Sequence, residues 1–217
     1  MSGQLQSGLS IGDAFRDVSE RLARAGVGTP RLDARLLVAA ALAESGGEET
    51  VLGHPARPLA ASEERFLREL ADRRERREPL AQILGTREFW SLPFLVTADV
   101  LTPRPDSETL VEAVLDRVPD KSAPLGLLDL GAGSGCLLLA LLSELPQATG
   151  IGVDISEAAL AISRQNAVAL GLEKRAVFCH GDWCGGLEGP FDVILSNPPY
   201  IPEDELAKLQ PEVRTFE

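Results

Sequence analysis

Residues 126–145 read GLLDLGAGSGCLLLALLSEL: a short apolar run, a turn holding three glycines, and then an almost uninterrupted apolar stretch. The run Gly126–Leu130 predicts a strand, and Gly135–Leu145 predicts a helix. The same alternation continues downstream, with a strand at Gly150–Asp154, a helix at Glu157–Leu170 and strands at Ala176–Cys179 and Phe191–Ser196. A helix from about Ser107 to Arg117 precedes it. Apolar strands alternating with helices predict a parallel, doubly wound α/β sheet.

In such sheets ligands bind beyond the C-terminal ends of the strands, so those ends are where chemistry is sought. The first strand runs through Asp129-Leu130 into Gly131-Ala132-Gly133-Ser134-Gly135. Glycines there permit a tight turn and let a ligand approach backbone N–H groups at a helix start. Such a turn alone also fits a dinucleotide site or a simple helix cap. The glycines fall as Gly-x-Gly-x-Gly, without the Gly-x-x-Gly tail of the hydride-transfer fingerprint. Asp129 lies just before the turn, placed to meet a ligand's ammonium group rather than a pyrophosphate. The second strand ends in Asp154, an acid suited to both hydroxyls of a ribose. The third leads to Gly181-Asp182-Trp183, where a carboxylate can accept from the exocyclic amine of adenine and an indole can pack on its ring. Helix cap, surface acid and buried Trp explain each piece singly. Their joint order favours S-adenosylmethionine over a dinucleotide.

The fourth strand enters Asn197-Pro198-Pro199-Tyr200. Asn197 precedes a proline and is biased to extended backbone. The two prolines fix φ and lack N–H donors. A planar NH₂ donor, whether a carboxamide or the exocyclic amine of a base, can hydrogen-bond to the Asn197 side-chain oxygen and the Pro198 carbonyl, with Tyr200 covering its face. An ordinary Pro-rich turn is the plain alternative.

Residues Ile11 to about Leu84 read as a small all-helical domain broken at Gly26–Pro30, Gly46-Gly47 and His54–Pro58. Leu32, Leu36, Leu37 and Ala40 are expected on one buried face, and Phe66, Leu67 and Leu70 on another. Asp33 reads as a helix-start carboxylate and Ser62 as an N-cap. The run Arg73-Arg74-Glu75-Arg76-Arg77 reads as a solvated helix face. Phe89, Trp90 and Leu92–Val96 form a β-prone, hairpin-like linker expected to pack near the site. Expected boundaries are 1–85 for the helical domain, 86–106 for the linker and 107–217 for the α/β domain.

With 217 residues the chain is long enough for two modest domains with real cores. Its 33 acidic against 21 basic residues, a formal net charge of −12, argue against a generic grip on phosphate backbones. Cys136, Cys179 and Cys184 are read as free thiols of a reducing cytoplasm. Cys179, His180 and Cys184 match no zinc spacing, so no metal is expected. No apolar run approaches membrane-spanning length.

The Gly131–Gly135 loop, Asp154, Asp182-Trp183 and Asn197–Tyr200 together resemble the sequential motifs of class I methyltransferases. With the helical N-terminal domain, the Phe89-Trp90-Ser91-Leu92 linker and Thr102-Pro103-Arg104-Pro105-Asp106-Ser107-Glu108, the chain is most similar to the release-factor glutamine methyltransferases. The resemblance implies a Rossmann-like doubly wound sheet and transfer of a methyl group from S-adenosylmethionine to the glutamine side-chain nitrogen in the Gly-Gly-Gln motif of peptide chain release factors. It implies cofactor contacts from Gly131, Ala132, Gly133, Ser134, Gly135, Asp154, Asp182, Trp183 and Asn197. Substrate contacts would come from Asn197, Pro198, Pro199 and Tyr200, with Asn197, Pro198 and Tyr200 at the reacting nitrogen. Phe89 is a candidate wall of the cofactor cleft, and Arg104 either orients substrate or pairs with Asp106 or Glu108. An amino methyltransferase acting on adenine in DNA or RNA shares the tetrapeptide, and an inactive cofactor-binding fragment is the non-enzymatic alternative. The family's fold continues past four strands, so a sheet incomplete at the C-terminus is expected, with an exposed fourth strand that makes the chain aggregation-prone and weakly active.

Overall fold

A computed structural model describes residues 8–198, 205 and 210–216. They fall into two compact units, one comprising residues up to Leu84 together with Gln210–Phe216, the other Gly85–Leu209.

The first unit is helical. Helices α1 (Ile11–Arg24), α2 (Pro30–Ala41), α3 (Gly47–Gly53), α4 (Ala61–Glu75) and α5 (Leu80–Leu84) are joined by the helix Pro211–Phe216. Ser10 caps α1 by accepting from the Asp13 N–H at 3.1 Å. Pro30 opens α2, where its fixed φ and missing N–H cost nothing. Ala34, Leu37, Val38 and Ala41 are its buried apolar residues, while Leu32 is exposed. The expected face is thereby corrected, since the helix begins at Pro30 and its rotation follows from the core it meets. In α4 Leu67, Leu70 and Ala71 are buried and Phe66 is exposed. Nor is Ser62 the N-cap of α4. Ala60 holds that place, and its N–H donates to the Glu63 carboxylate at 2.8 Å.

The arginine run is the larger correction. Arg74 is 6% exposed. Its Nε donates to Asp33 Oδ2 at 2.7 Å, Nη1 donates to the Glu78 carbonyl at 2.9 Å, and the same nitrogen meets Glu212 at 3.0 Å. Arg77 grips the Glu212 carboxylate through two bonds of 2.7 Å, and Arg73 pairs with Glu78. Asp33 does stand in the first turn of α2, yet its main role is to neutralise Arg74. Charges paired out of water depend on complete pairing, because a partner left alone carries an uncompensated desolvation cost.

In the second unit β1 (Thr86–Phe89) and β2 (Leu92–Leu95) form an antiparallel hairpin whose two turn residues, Trp90 and Ser91, both have positive φ. Then come α6 (Glu108–Leu115), β3 (Gly126–Leu130), α7 (Cys136–Glu144), β4 (Thr149–Asp154), α8 (Glu157–Ala169), β5 (Ala176–His180) and β6 (Val193–Ser196). β6 is shorter than expected at its start. The Asp192 carboxylate and N–H are instead bonded to the backbone of Gly126 at the start of β3. The sheet order is β5-β4-β3-β6, all parallel. Every residue from Leu137 to Leu142 is buried, as an apolar helix without a polar face requires. Phe89 and Phe94 meet edge to face at 6.2 Å within the same core.

Among the described residues β6 has a strand neighbour on one side, β3. Ile194 is 61% exposed, and an apolar groove of about 820 Å³ runs beside it between β6 and α6, lined by Leu110, Val114, Leu125, Val193 and Leu195.

Arg74→Ala leaves the buried Asp33 carboxylate without its cation. It is expected to cost the helical unit about 3 kcal/mol in urea unfolding followed by circular dichroism, whereas replacing Arg74 and Asp33 together by Met and Leu costs less.

Candidate active site

Strand register decides which residues stand together. Leu130, at the end of β3, pairs with Val153 on one side and Ser196 on the other. On the far side of β4, Asp154 pairs with His180 of β5. The residues that follow, Gly131, Asp154, Gly181-Asp182 and Asn197, therefore emerge along one edge of the sheet, with strands about 4.8 Å apart. Strand order reverses between β3 and β6, the point at which open α/β sheets bind ligands. Ser196 ties those two ends together, its hydroxyl donating to the Leu130 carbonyl at 2.7 Å.

The loop from Gly131 to Gly135 takes φ of 79° at Gly131, 53° at Gly133 and 78° at Gly135, a region costly for residues with a Cβ. A Cβ on Gly135 would also lie 3.0 Å from the Phe178 ring. The N–H groups of Gly131 and Ala132 donate to the Val153 carbonyl at 2.8 and 2.9 Å, and that of Gly133 to Asp154 Oδ2 at 2.8 Å. The loop is also held from behind by α8. Ser163 donates to the Gly133 carbonyl at 2.6 Å and Asn166 Nδ2 to the Ser134 carbonyl at 2.9 Å. Asn166 is 1% exposed, and its carboxamide also accepts from the Leu95 N–H at 2.7 Å. One side chain thus fastens the hairpin to the glycine loop. Sequence reading missed both α8 residues. The available signal was their spacing, since Ser163 and Asn166 share the face of Ala159, Leu160 and Ile162, which faces inward.

The Ala132 and Ser134 side chains are buried, and the N–H groups of Gly131, Ala132, Gly133 and Gly135 already donate within the protein, so what the loop offers a ligand is close approach to the backbone rather than the row of free donors expected from sequence. The Asp154 carboxylate accepts from the N–H groups of Gly133 and Ser156 at 2.8 and 2.9 Å. With two lone pairs on each oxygen it keeps capacity for hydroxyl donors. Asp182 is exposed, and Trp183 is 57% exposed with φ of 54°. They follow directly on Gly181, whose N–H donates to the Asp154 carbonyl at 3.1 Å. Phe89 does not wall a cleft. It is 1% exposed and packs in the core against Phe94.

Asp129 is 1% exposed, and among the described residues neither of its carboxylate oxygens has a hydrogen-bond partner. Burial pushes its carboxyl up to about 7; the polarity of the Leu138 backbone N–H offsets part of that rise, and the nearby Asp154 charge adds to it. Native structures rarely leave such a group unmatched.

Asn197 is half-buried beside the first turn of the loop. Its Nδ2 donates to Ser107 Oγ at 3.0 Å, so its Oδ1 is the end left to accept. Pro198 is described, whereas Pro199 and Tyr200 lie outside the described residues. Ser107 stands just before α6, and its role was not anticipated from sequence. The cysteines are free thiols, and burial pushes the Cys136 thiol up to about 12, too high for a nucleophilic thiolate. Among the described residues no group of three His, Cys, Asp or Glu side chains is placed to hold a metal, and no helix is long and apolar enough to cross a membrane.

Residues 13–85 match the PrmC N-terminal domain family and residues 106–210 the Methyltransferase small domain family. The Release factor glutamine methyltransferase of Rhodospirillum rubrum is 47% identical over 98% of this chain, which covers 64% of that protein. The proteins of the same name from Caulobacter vibrioides and Bradyrhizobium diazoefficiens are 43% and 46% identical, each over 96% of this chain, which covers 72% and 70% of them. The chain thus spans roughly two thirds of the length of these relatives.

A folded chain that holds the Asp129 proton up to about pH 7 binds it where the unfolded chain, with an ordinary value of 3.8, has released it. Stability therefore falls as pH rises between those values. Asp129→Asn, neutral throughout, is expected to melt with the parent at pH 4 and roughly 3 °C or more above it at pH 8 by scanning calorimetry.

Proposed function

The chain belongs to the release factor glutamine methyltransferase family, and from that premise we propose that it transfers a methyl group from S-adenosylmethionine to the side-chain amide nitrogen of the glutamine in the Gly-Gly-Gln motif of peptide chain release factors. The observation that carries the reading is the parallel pairing of Leu130 with Ser196, which sets the glycine loop and Asn197 side by side at the sheet's switch point.

S-adenosylmethionine supplies, when bound, an electrophilic methyl group on a sulfonium sulfur. Asp129 would meet its ammonium group, Asp154 its ribose hydroxyls, and the Gly131–Gly135 loop would lie against it at the start of α7. Asp182 and Trp183 would receive the adenine. At the acceptor, Asn197 Oδ1 and the Pro198 carbonyl would each take one N–H of the glutamine carboxamide; Tyr200, outside the described residues, is assigned to its side chain from sequence alone. That nitrogen is a poor nucleophile because its lone pair is delocalised into the carbonyl. Two acceptors fixed around it orient the lone pair and favour the positive charge that develops during transfer. No strong base is needed beforehand, since the nitrogen sheds a proton readily once methylated. A protein substrate fits the acidic balance of the chain better than a nucleic acid does, and the cytoplasm, where translation ends, is the compartment this reading implies.

Incubation of the purified chain with S-adenosylmethionine and a release factor is expected to add one methyl group to the Gly-Gly-Gln glutamine, read by peptide mass spectrometry. Asn197→Ala is expected to lower the rate about 100-fold or more. Methyl transfer to adenine in DNA or RNA, with none to the release factor, would overturn the proposal.

A further inference from the structure

Asn197 has a carboxamide whose two ends look alike in shape and opposite in hydrogen bonding. An acceptor nitrogen that presents N–H groups needs the oxygen end. Rotation of the side chain by half a turn would present Nδ2 instead, donor against donor. Asn197 itself contains nothing that selects between the two. The Ser107 hydroxyl, which can donate as well as accept, accepts here from Asn197 Nδ2 at 3.0 Å, and the selection comes from this bond together with the N–H groups of the methyl acceptor.

We infer that Ser107 is a positioning residue that holds the Asn197 carboxamide with its oxygen toward the methyl acceptor and so favours an amide or amine donor at this site. The inference rests on the reading of Asn197 as the acceptor clamp. Ser107 is well placed to do this. It ends the short 3₁₀ turn Pro105–Ser107, its own N–H donates to the Arg104 carbonyl at 3.0 Å, and α6 begins at the next residue. Pro105 fixes φ at the start of that turn, so the hydroxyl projects from rigid backbone. With acceptor bound, both ends of the Asn197 side chain are matched only in the productive orientation: Nδ2 on Ser107, Oδ1 on the acceptor. Without the Ser107 hydroxyl that orientation leaves a half-buried donor unmatched.

Threonine and valine have nearly the same shape and differ in the hydroxyl, so the pair Ser107→Thr and Ser107→Val separates the hydrogen bond from packing. In the full chain, Ser107→Val is expected to lower kcat for release-factor methylation by about 10- to 100-fold while the Kd for S-adenosylmethionine changes by less than about twofold; Ser107→Thr stays within about threefold of the parent. A second measurement needs no turnover. The Asn197 side-chain NH₂ signals in a ¹⁵N–¹H spectrum, assigned by their loss in Asn197→Ala, are expected to coincide in parent and Ser107→Thr and to move in Ser107→Val. Equal kcat for the valine and threonine variants, or NH₂ signals that do not distinguish them, would overturn the positioning role. An inactive parent whose NH₂ signals respond as expected would instead sink the release-factor reading and leave the hydrogen bond standing.

Discussion

Everything at the site depends on β3 being an interior strand paired in parallel on both sides. An interior strand has its backbone groups satisfied left and right, so neither neighbour can shift register without breaking a ladder and turning its side chains to the wrong face. With Leu130 locked between Val153 and Ser196, the glycine loop, Asp154 and Asn197 have no freedom to be anywhere but adjacent. Three chain segments, the first and last more than sixty residues apart, are brought together by the strand ladders, with the Ser196 hydroxyl tying the end of β6 to that of β3.

Fine positioning then falls to polar side chains that sequence patterning treats as incidental. Ser163 and Asn166 hold the carbonyls on the inner side of the loop, and Asn166 joins the loop to the hairpin. Ser107 holds the amide end of Asn197. Against these satisfied groups stands Asp129, a buried carboxyl without a partner among the described residues. The fold neutralises the buried Asp33 with Arg74 and carries the desolvation cost of Asp129.

The helical unit follows the opposite logic. Its charges are matched internally, with Arg74 between Asp33 and Glu212, and Arg77 clasping Glu212 from outside. Glu212 reaches them from a segment well over a hundred residues away in sequence. A cluster of arginines interleaved with one acid looks like a solvated face as long as partners are sought nearby; here they come from distant turns.

From sequence alone, the order of strands and helices after Pro124, the glycine loop and the place of Asp154 and Asn197 at strand ends were legible, because each depends on local periodicity or on a residue type with special backbone behaviour. The hairpin was legible for the same reason. Which face of α2 is buried, where α4 is capped, that Phe89 serves the core, and that Arg74 is inside were not. Those outcomes depend on which surfaces meet, and hydrophobic and charged side chains read the same in sequence whether their partner is water or a distant residue. The sequence by itself determined the chemistry available to this protein, through residue types set at strand ends. Only the tertiary structure decided their orientation, because the direction of a carboxamide or the emptiness around a carboxyl is a property of neighbours brought together by folding.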